Sequence, residues 1–266
     1  MKIPAARWYP VIKTRRSRRQ YDALRPVPEG VFTDLKSACD DFRPFPGTRA
    51  VLITKNADEV FKGVIGAYGK VKDAPLAIAF IGDMSDAHIQ EKLGYMGEGI
   101  ILEATVLGLA TCWVGGFFKP EVVTSLIKLE KGERILAVTP AGYAVNQETL
   151  EEKVLTGFGN THKRKPLSSM ITGLPENEWP EWIKSALEAA RLSPSAVNRQ
   201  PWGFHIKTDS ITVSVRTAGP DFNVSKRLDC GIAMLHIDVA AQNSGINGNW
   251  QFLDNPRVAR FKILSG

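Results

Sequence analysis

Apolar positions recur along this chain in two rhythms, and they predict alternating helices and strands. Glu29–Asp41 carries Val31, Leu35, Ala38 and Cys39 at helical spacing, and Pro44 and Pro46 stop it. Ile12–Arg19 reads as the end of an earlier helix, closed by Arg25-Pro26-Val27-Pro28. Ala50–Thr54 (AVLIT) is a short strand, and Ile135–Ala144 (ILAVTPAGYA) another. Pro75–Ile81 (PLAIAFI) is apolar without alternation, the pattern of a strand covered on both faces. Asp86–Leu109 is the longest helix, with Leu93, Met96, Ile100, Ala104 and Leu107 on one side. Its other side carries little charge after Glu103, which predicts a place deep in the molecule. Gly108, near its end, suits a left-handed cap.

The second part of the chain repeats this plan. Leu35-Lys36-Ser37-Ala38 resembles Ile183-Lys184-Ser185-Ala186, 148 positions on. Gly94, Gly108 and Trp113 correspond to Gly231, Gly245 and Trp250, each 137 positions on. Order, residue type and spacing agree, which points to duplication with residues lost between the helices of the later copy. One domain whose helices share ordinary apolar patterning is the alternative. The duplication reading divides the chain into 1–150, a crossover over 151–173, and a shorter half over 174–266.

Composition narrows the class without choosing a function. The 266 residues are 44% hydrophobic and 23% charged, ordinary for a globular protein with a core. Net charge is +6, with cationic clusters at Arg15–Arg19 and His162–Lys165, suited to a bound phosphate or, on an open face, a polyanion. Cys39, Cys112 and Cys230 form no Cys-x-x-Cys pair, so neither a disulfide framework nor a zinc site is expected. His88, His162, His205 and His236 lack metal-ligand spacing. The first residues hold no uninterrupted apolar segment of the kind a signal peptide needs, and no run is long enough for a membrane span; a cytoplasmic protein is expected.

Three segments carry candidate chemistry. Guanidinium groups grip phosphate oxygens in a fixed fork, and in Arg15-Arg16-Ser17-Arg18-Arg19 alternate residues could face one ligand while the others face solvent. A solvated basic helix end or a nucleic-acid patch is the alternative. Gly108–Phe117 (GLATCWVGGF) follows the long helix, and Gly115 and Gly116 allow close approach to a ligand or simply a glycine-rich turn. Pro194-Ser195-Ala196-Val197-Asn198-Arg199-Gln200-Pro201-Trp202 places short polar side chains after a helix end. No Gly-x-Gly-x-x-Gly follows a strand, so a separate dinucleotide domain is not expected.

Together these segments resemble the FMN-dependent nitroreductase family. The resemblance implies an α+β, nitroreductase-like fold of two related halves, each a central sheet flanked by helices, arranged as a pseudo-dimer. It further implies that Arg15 and Ser17 hold the phosphate and ribityl chain of FMN, that Arg16 also belongs to the cofactor site, and that Arg19 reaches the pyrimidine edge of its ring. Val114, Gly115 and Gly116 would pass beside the flavin, and Arg164 in His162–Pro166 would complete the phosphate site. Pro194, Ser195, Ala196 and Asn198 would form the turn that, in two-subunit relatives, crosses to the partner's flavin. Here that turn stands 178 positions after Ser17, counted to Ser195, in the other half of the chain. A second Arg-Arg-Ser signature and a second Pro-Ser turn are both missing, which implies one FMN per chain. The implied activity is two-electron reduction of nitroaromatics or quinones by NAD(P)H in ping-pong hydride transfer, with no side-chain acid or base. A flavin protein with another role (flavin cleavage, dehalogenation or storage) and a nucleic-acid-binding module are the alternatives. The expected partners are small molecules, not nucleic acid or membrane, for a monomeric pseudo-dimer.

Overall fold

A computed structural model describes residues 1–64, 70–145, 163–217, 219, 221 and 223–264. In the N-terminal half, α1 (Ala5–Thr14) and α2 (Glu29–Asp41) precede β1 (Thr48–Ile53) and β2 (Leu76–Asp83). Then come α3 (Ile89–Val106), β3 (Ala110–Thr111), α4 (Pro120–Leu126) and β4 (Glu133–Gly142). The C-terminal half holds β5 (Ile171–Gly173), α5 (Glu181–Arg191), β6 (Trp202–Lys207), β7 (Ser210–Val215), α6 (Lys226–Asn243), β8 (Gly248–Phe252) and β9 (Arg257–Ile263).

The helix over 29–41 forms with the expected bounds and buries Leu35, Ala38 and Cys39. The first helix differs from expectation. It stops at Thr14, and Arg15 is extended (φ −54°, ψ 128°), so Arg15–Arg19 is not a helix end. Instead the segment pairs along its length: Ser17 bridges Thr111 in parallel, and Gln20 bridges Lys72. Those tertiary bonds outweigh a helix that would stack five consecutive polar cations or hydroxyls.

The two sheets share a strand order. One runs β1-β2-β4-β3 and the other β6-β7-β9-β8, with β5 added in parallel beside β6. Both carry a register shift in the second strand, between Phe80 and Ile81 and between Val213 and Ser214. The long helices match as closely. α3 and α6 each have 18 residues and begin 137 positions apart (226 − 89). Each ends in a left-handed glycine, Gly108 at φ +79° and Gly245 at φ +77°. Glycine takes this conformation without the steric cost a Cβ would bring. The next amide then bonds back to the helix, Leu109 to Ala104 O at 2.8 Å and Ile246 to Ala241 O at 2.9 Å.

α3 and α6 cross at the centre, where Leu93, Met96 and Ile100 of one join Ala233, Met234 and Ile237 of the other in a core shared by both halves. Burying each large apolar side chain contributes about 1.5–3 kcal/mol. The crossing is close because glycines face backbone. A Cβ on Gly94 would lie 2.1 Å from Leu228 O, and one on Gly231 would lie 2.0 Å from Glu91 O. Gly94 and Glu91 are each 137 positions before their counterparts, Gly231 and Leu228. The contact is therefore reciprocal, as across a two-fold interface. Among the described residues no helix is long and apolar enough to cross a membrane.

Candidate functional site

The extended segment after α1 is held against the glycine-rich loop. Besides the Ser17–Thr111 bridge, Arg18 N donates to Thr111 O at 2.9 Å. Arg15 is 7% exposed, and its Nε makes no hydrogen bond among the described residues. That nitrogen stands 3.7 Å from Glu98 Oε1. Burial lowers the Arg15 pKa, with Glu98 opposing. Arg16 is exposed and folds back on Lys13 O and Arg15 O, each at 2.8 Å. Arg19 is half-buried, and its carbonyl accepts from Lys72 N at 2.9 Å.

In the glycine-rich loop, Val114 exchanges two 2.9 Å backbone bonds with Val138 of β4. Trp113 Nε1 donates to Glu98 Oε2 at 2.7 Å. Gly115 and Gly116 follow, both half-buried. A Cβ on Gly115 would come within 2.6 Å of Val224 Cγ2, so this loop and the C-terminal half touch there.

The turn after α5 is strained and strongly anchored. Val197, Asn198 and Gln200 have φ of 47°, 53° and 47°. Non-glycine residues in such conformations cost about 1–3 kcal/mol each and persist only where surroundings impose them. Asp229 of α6 imposes them here: Ala196 N donates to its Oδ1 at 3.1 Å and Arg199 Nε to its Oδ2 at 2.7 Å. Ser195 Oγ accepts from Gln200 N at 2.9 Å, and Pro194 is buried. Arg199 also donates to Val224 O at 2.7 Å, which ties the turn to the residue packed on Gly115. Burial raises the Asp229 carboxyl to about 6 despite its bond to Arg199.

Arg164 joins the pieces. It donates to Asn198 Oδ1 at 2.9 Å and to Leu192 O at 3.3 Å. Its pKa falls to about 10, through burial first and then the charges of Arg15, Arg16 and Arg191. Guanidinium groups from α1's end, the crossover and α5 thus converge beside the turn. Asn198 Nδ2 and Gln200 Nε2 both donate to Lys163 O, at 3.0 and 3.1 Å. His162 lies outside the described residues, as does 151–162 of the crossover.

Sequence reasoning passed over Glu98, Arg191 and the Asp229 anchor, and noted of His236 only that it lacks metal-ligand spacing. Glu98 had a visible signal: a carboxylate in the middle of a long helix expected deep in the molecule, between Leu93 and Ile100. It is fully buried, and Oε1 also meets His236 Nε2 at 3.0 Å. Arg191 had none, because its pairing with Glu188 at 2.8 Å reads as an ordinary helix-surface pair.

Comparison with known proteins gives three findings. A family model described as "Putative TM nitroreductase" matches residues 7–241. Among solved structures, a "putative nitroreductase" from Thermotoga maritima is 19% identical with a TM-score of 0.65, over 96% of this chain and 93% of that one. A nitroreductase with bound FMN from Bacteroides fragilis is 19% identical with a TM-score of 0.43, over 54% of this chain and 91% of its own. No curated protein matches.

Proposed function

The chain belongs to the TM nitroreductase family, and on that premise we propose that it is an FMN-dependent oxidoreductase. In this reading it takes electrons from NAD(P)H and delivers them in pairs to small electrophiles, nitroaromatics or quinones, in a ping-pong sequence.

The observation that carries the reading is Arg164, bonded to Asn198 of the turn and close enough to Arg15, Arg16 and Arg191 to feel their charge. Burial first, and then these like charges, lower the Arg164 pKa, and a phosphate dianion would reverse the repulsion. Arg15 Nε, buried without a hydrogen bond among the described residues, is a donor suited to such an anion. Gly115, with no room for a Cβ, suits a surface that must lie flat.

Arg15, Arg16 and Arg164 would hold the phosphate and Ser17 the ribityl chain. Arg19 would lie at the pyrimidine edge. Val114, Gly115 and Gly116 would offer backbone along the ring, and Pro194, Ser195, Ala196 and Asn198 would close the site from the other half. The bound flavin would supply a reversible two-electron centre. The side chains orient it, bring positive charge to the pole that becomes negative on reduction, and leave one face open; none acts as acid or base.

Two halves, 1–150 and 174–266, then stand in for two subunits, a pseudo-dimer within one chain. The shared strand order and the reciprocal Gly94 and Gly231 contacts support this. In this reading only one of the two related positions takes a flavin. Phe252 stands 137 positions after Gly115, and Phe45 follows α2 as Ser195 follows α5. Their rings pack edge-on with centroids 5.2 Å apart, and Phe252 stacks on His88 at 5.3 Å. Aromatic rings thus occupy the place where the other side has glycine and serine.

Purified protein should be yellow, carry FMN, and oxidise NADH or NADPH when given a nitroaromatic or quinone. A colourless protein whose ligand is nucleic acid, released steeply by salt, would overturn the reading.

A further inference from the structure

We propose that Glu98 is the positioning residue of the flavin site, holding its three arms through one buried pair with His236. The inference rests on the proposed function and goes beyond it, because Glu98 belongs to none of the segments that carry the resemblance. Its carboxylate sits at the crossing of α3 and α6 with no exposed surface. Oε2 accepts from Trp113 Nε1 at 2.7 Å, two residues before Gly115. Oε1 stands 3.7 Å from Arg15 Nε, at the start of the basic arm. The same oxygen lies 3.0 Å from His236 Nε2, and His236 Nδ1 lies 2.9 Å from Ala189 O in the last turn of α5, which leads into the Pro194–Asn198 turn. Basic arm, glycine loop and crossing turn all trace back to one side chain.

Donor arithmetic fixes the protons. A backbone carbonyl only accepts, so His236 Nδ1 carries a hydrogen. Trp113 only donates, so Glu98 Oε2 accepts. One further proton lies between Oε1 and Nε2, and wherever it sits the Glu98–His236 pair is neutral as a whole. Arg15 therefore keeps its full charge for an anion, while the pair aims it. A solitary buried carboxylate in this place would cancel Arg15 instead.

The test compares wild type with Glu98→Met, which keeps the volume but removes the acceptors, and Glu98→Gln. The amide can accept from Trp113 with its oxygen and donate to a neutral His236 Nε2, preserving net charge. FMN and riboflavin are titrated against each, with a thermal melt to confirm folding. Expected: E98M folds but binds FMN at least tenfold more weakly, riboflavin suffers less because it lacks the phosphate that Arg15 meets, and E98Q recovers to within about threefold. A folded E98M that binds FMN like wild type, or equal losses for FMN and riboflavin, would overturn the proposal. Wild type that takes up neither flavin would overturn the proposed function instead. The pair is then read in flavin-free protein by ¹⁵N spectra of His236, where Nδ1 should be protonated and the Nε2 signal should move on E98M; no movement overturns the pair.

Discussion

Arg164 owes its importance to company that no local pattern announces. Its neighbours Arg15, Arg16 and Arg191 come from two other places in the chain, and their charges, after burial, hold its pKa near 10. A hydrogen bond to a charged group contributes about 1.5–3 kcal/mol, so Arg164→Ala is expected to weaken FMN about 10- to 100-fold. Riboflavin, without phosphate, should change little; fluorescence titration of both checks this. Asp229 gives a second, pH-dependent expectation. Burial holds its folded pKa near 6, above the ordinary value of about 4. The fold thus favours the protonated form, and this group's contribution is full below about pH 4 and is lost as pH rises through about 6. The loss amounts to about 3 kcal/mol at most. Asp229→Asn should flatten that part of the stability profile, measured by urea unfolding between pH 4 and 7, while losing the Arg199 ion pair at every pH. The residues proposed for the cofactor were chosen from residue type and order. Arg191 was not, because its pair with Glu188 looks in one dimension like any helix-surface pair, and Glu98 showed its charge but not its partners.

Among the elements, those governed by local periodicity matched expectation closely. α2 has the expected bounds, and the apolar run at Pro75–Ile81 became a strand buried along almost its whole length. The departure was Arg15–Arg19, whose polar run permits helix and strand alike; its pairing with Thr111 decided the matter. The α3–α6 crossing gives a sharp expectation. Gly94→Ala or Gly231→Ala would drive a methyl into a carbonyl at 2.1 or 2.0 Å, and such overpacking costs about 1–3 kcal/mol. Either should also weaken FMN, since the site joins two halves that meet at that crossing. Gly30→Ala is the control: it lies on α2 with nothing within 4 Å of the added carbon. It should be neutral or stabilise by up to about 1 kcal/mol. Urea unfolding and FMN titration of the three variants settle the point.

For the whole molecule, the two halves offer related but unequal faces. One face carries Gly115, joined through Val224 and Arg199 to the turn that holds Ser195; the other brings Phe45, Phe252 and His88, with Lys92 Nζ 4.8 Å from the centre of the Phe252 ring. One FMN per chain is expected by absorbance and native mass spectrometry. Phe252→Ala should lower stability by about 2–4 kcal/mol through the lost packing and leave the stoichiometry at one. A second equivalent of FMN in either protein would mean the aromatic face opens.

The sequence by itself determined α2, the apolar strand after Pro75 and the long helix before Gly108, and it supplied the paired residues behind the proposed repeat and the residues proposed for a flavin. Each of these is written in a short stretch of chain or in the comparison of two such stretches. Only the tertiary structure decided that segments 178 positions apart share one space, that Arg191 joins them, and that a carboxylate in the core ties them together. Those facts depend on how two long helices cross, and the crossing is set by the close approach of Gly94 and Gly231 to backbone rather than by any local preference.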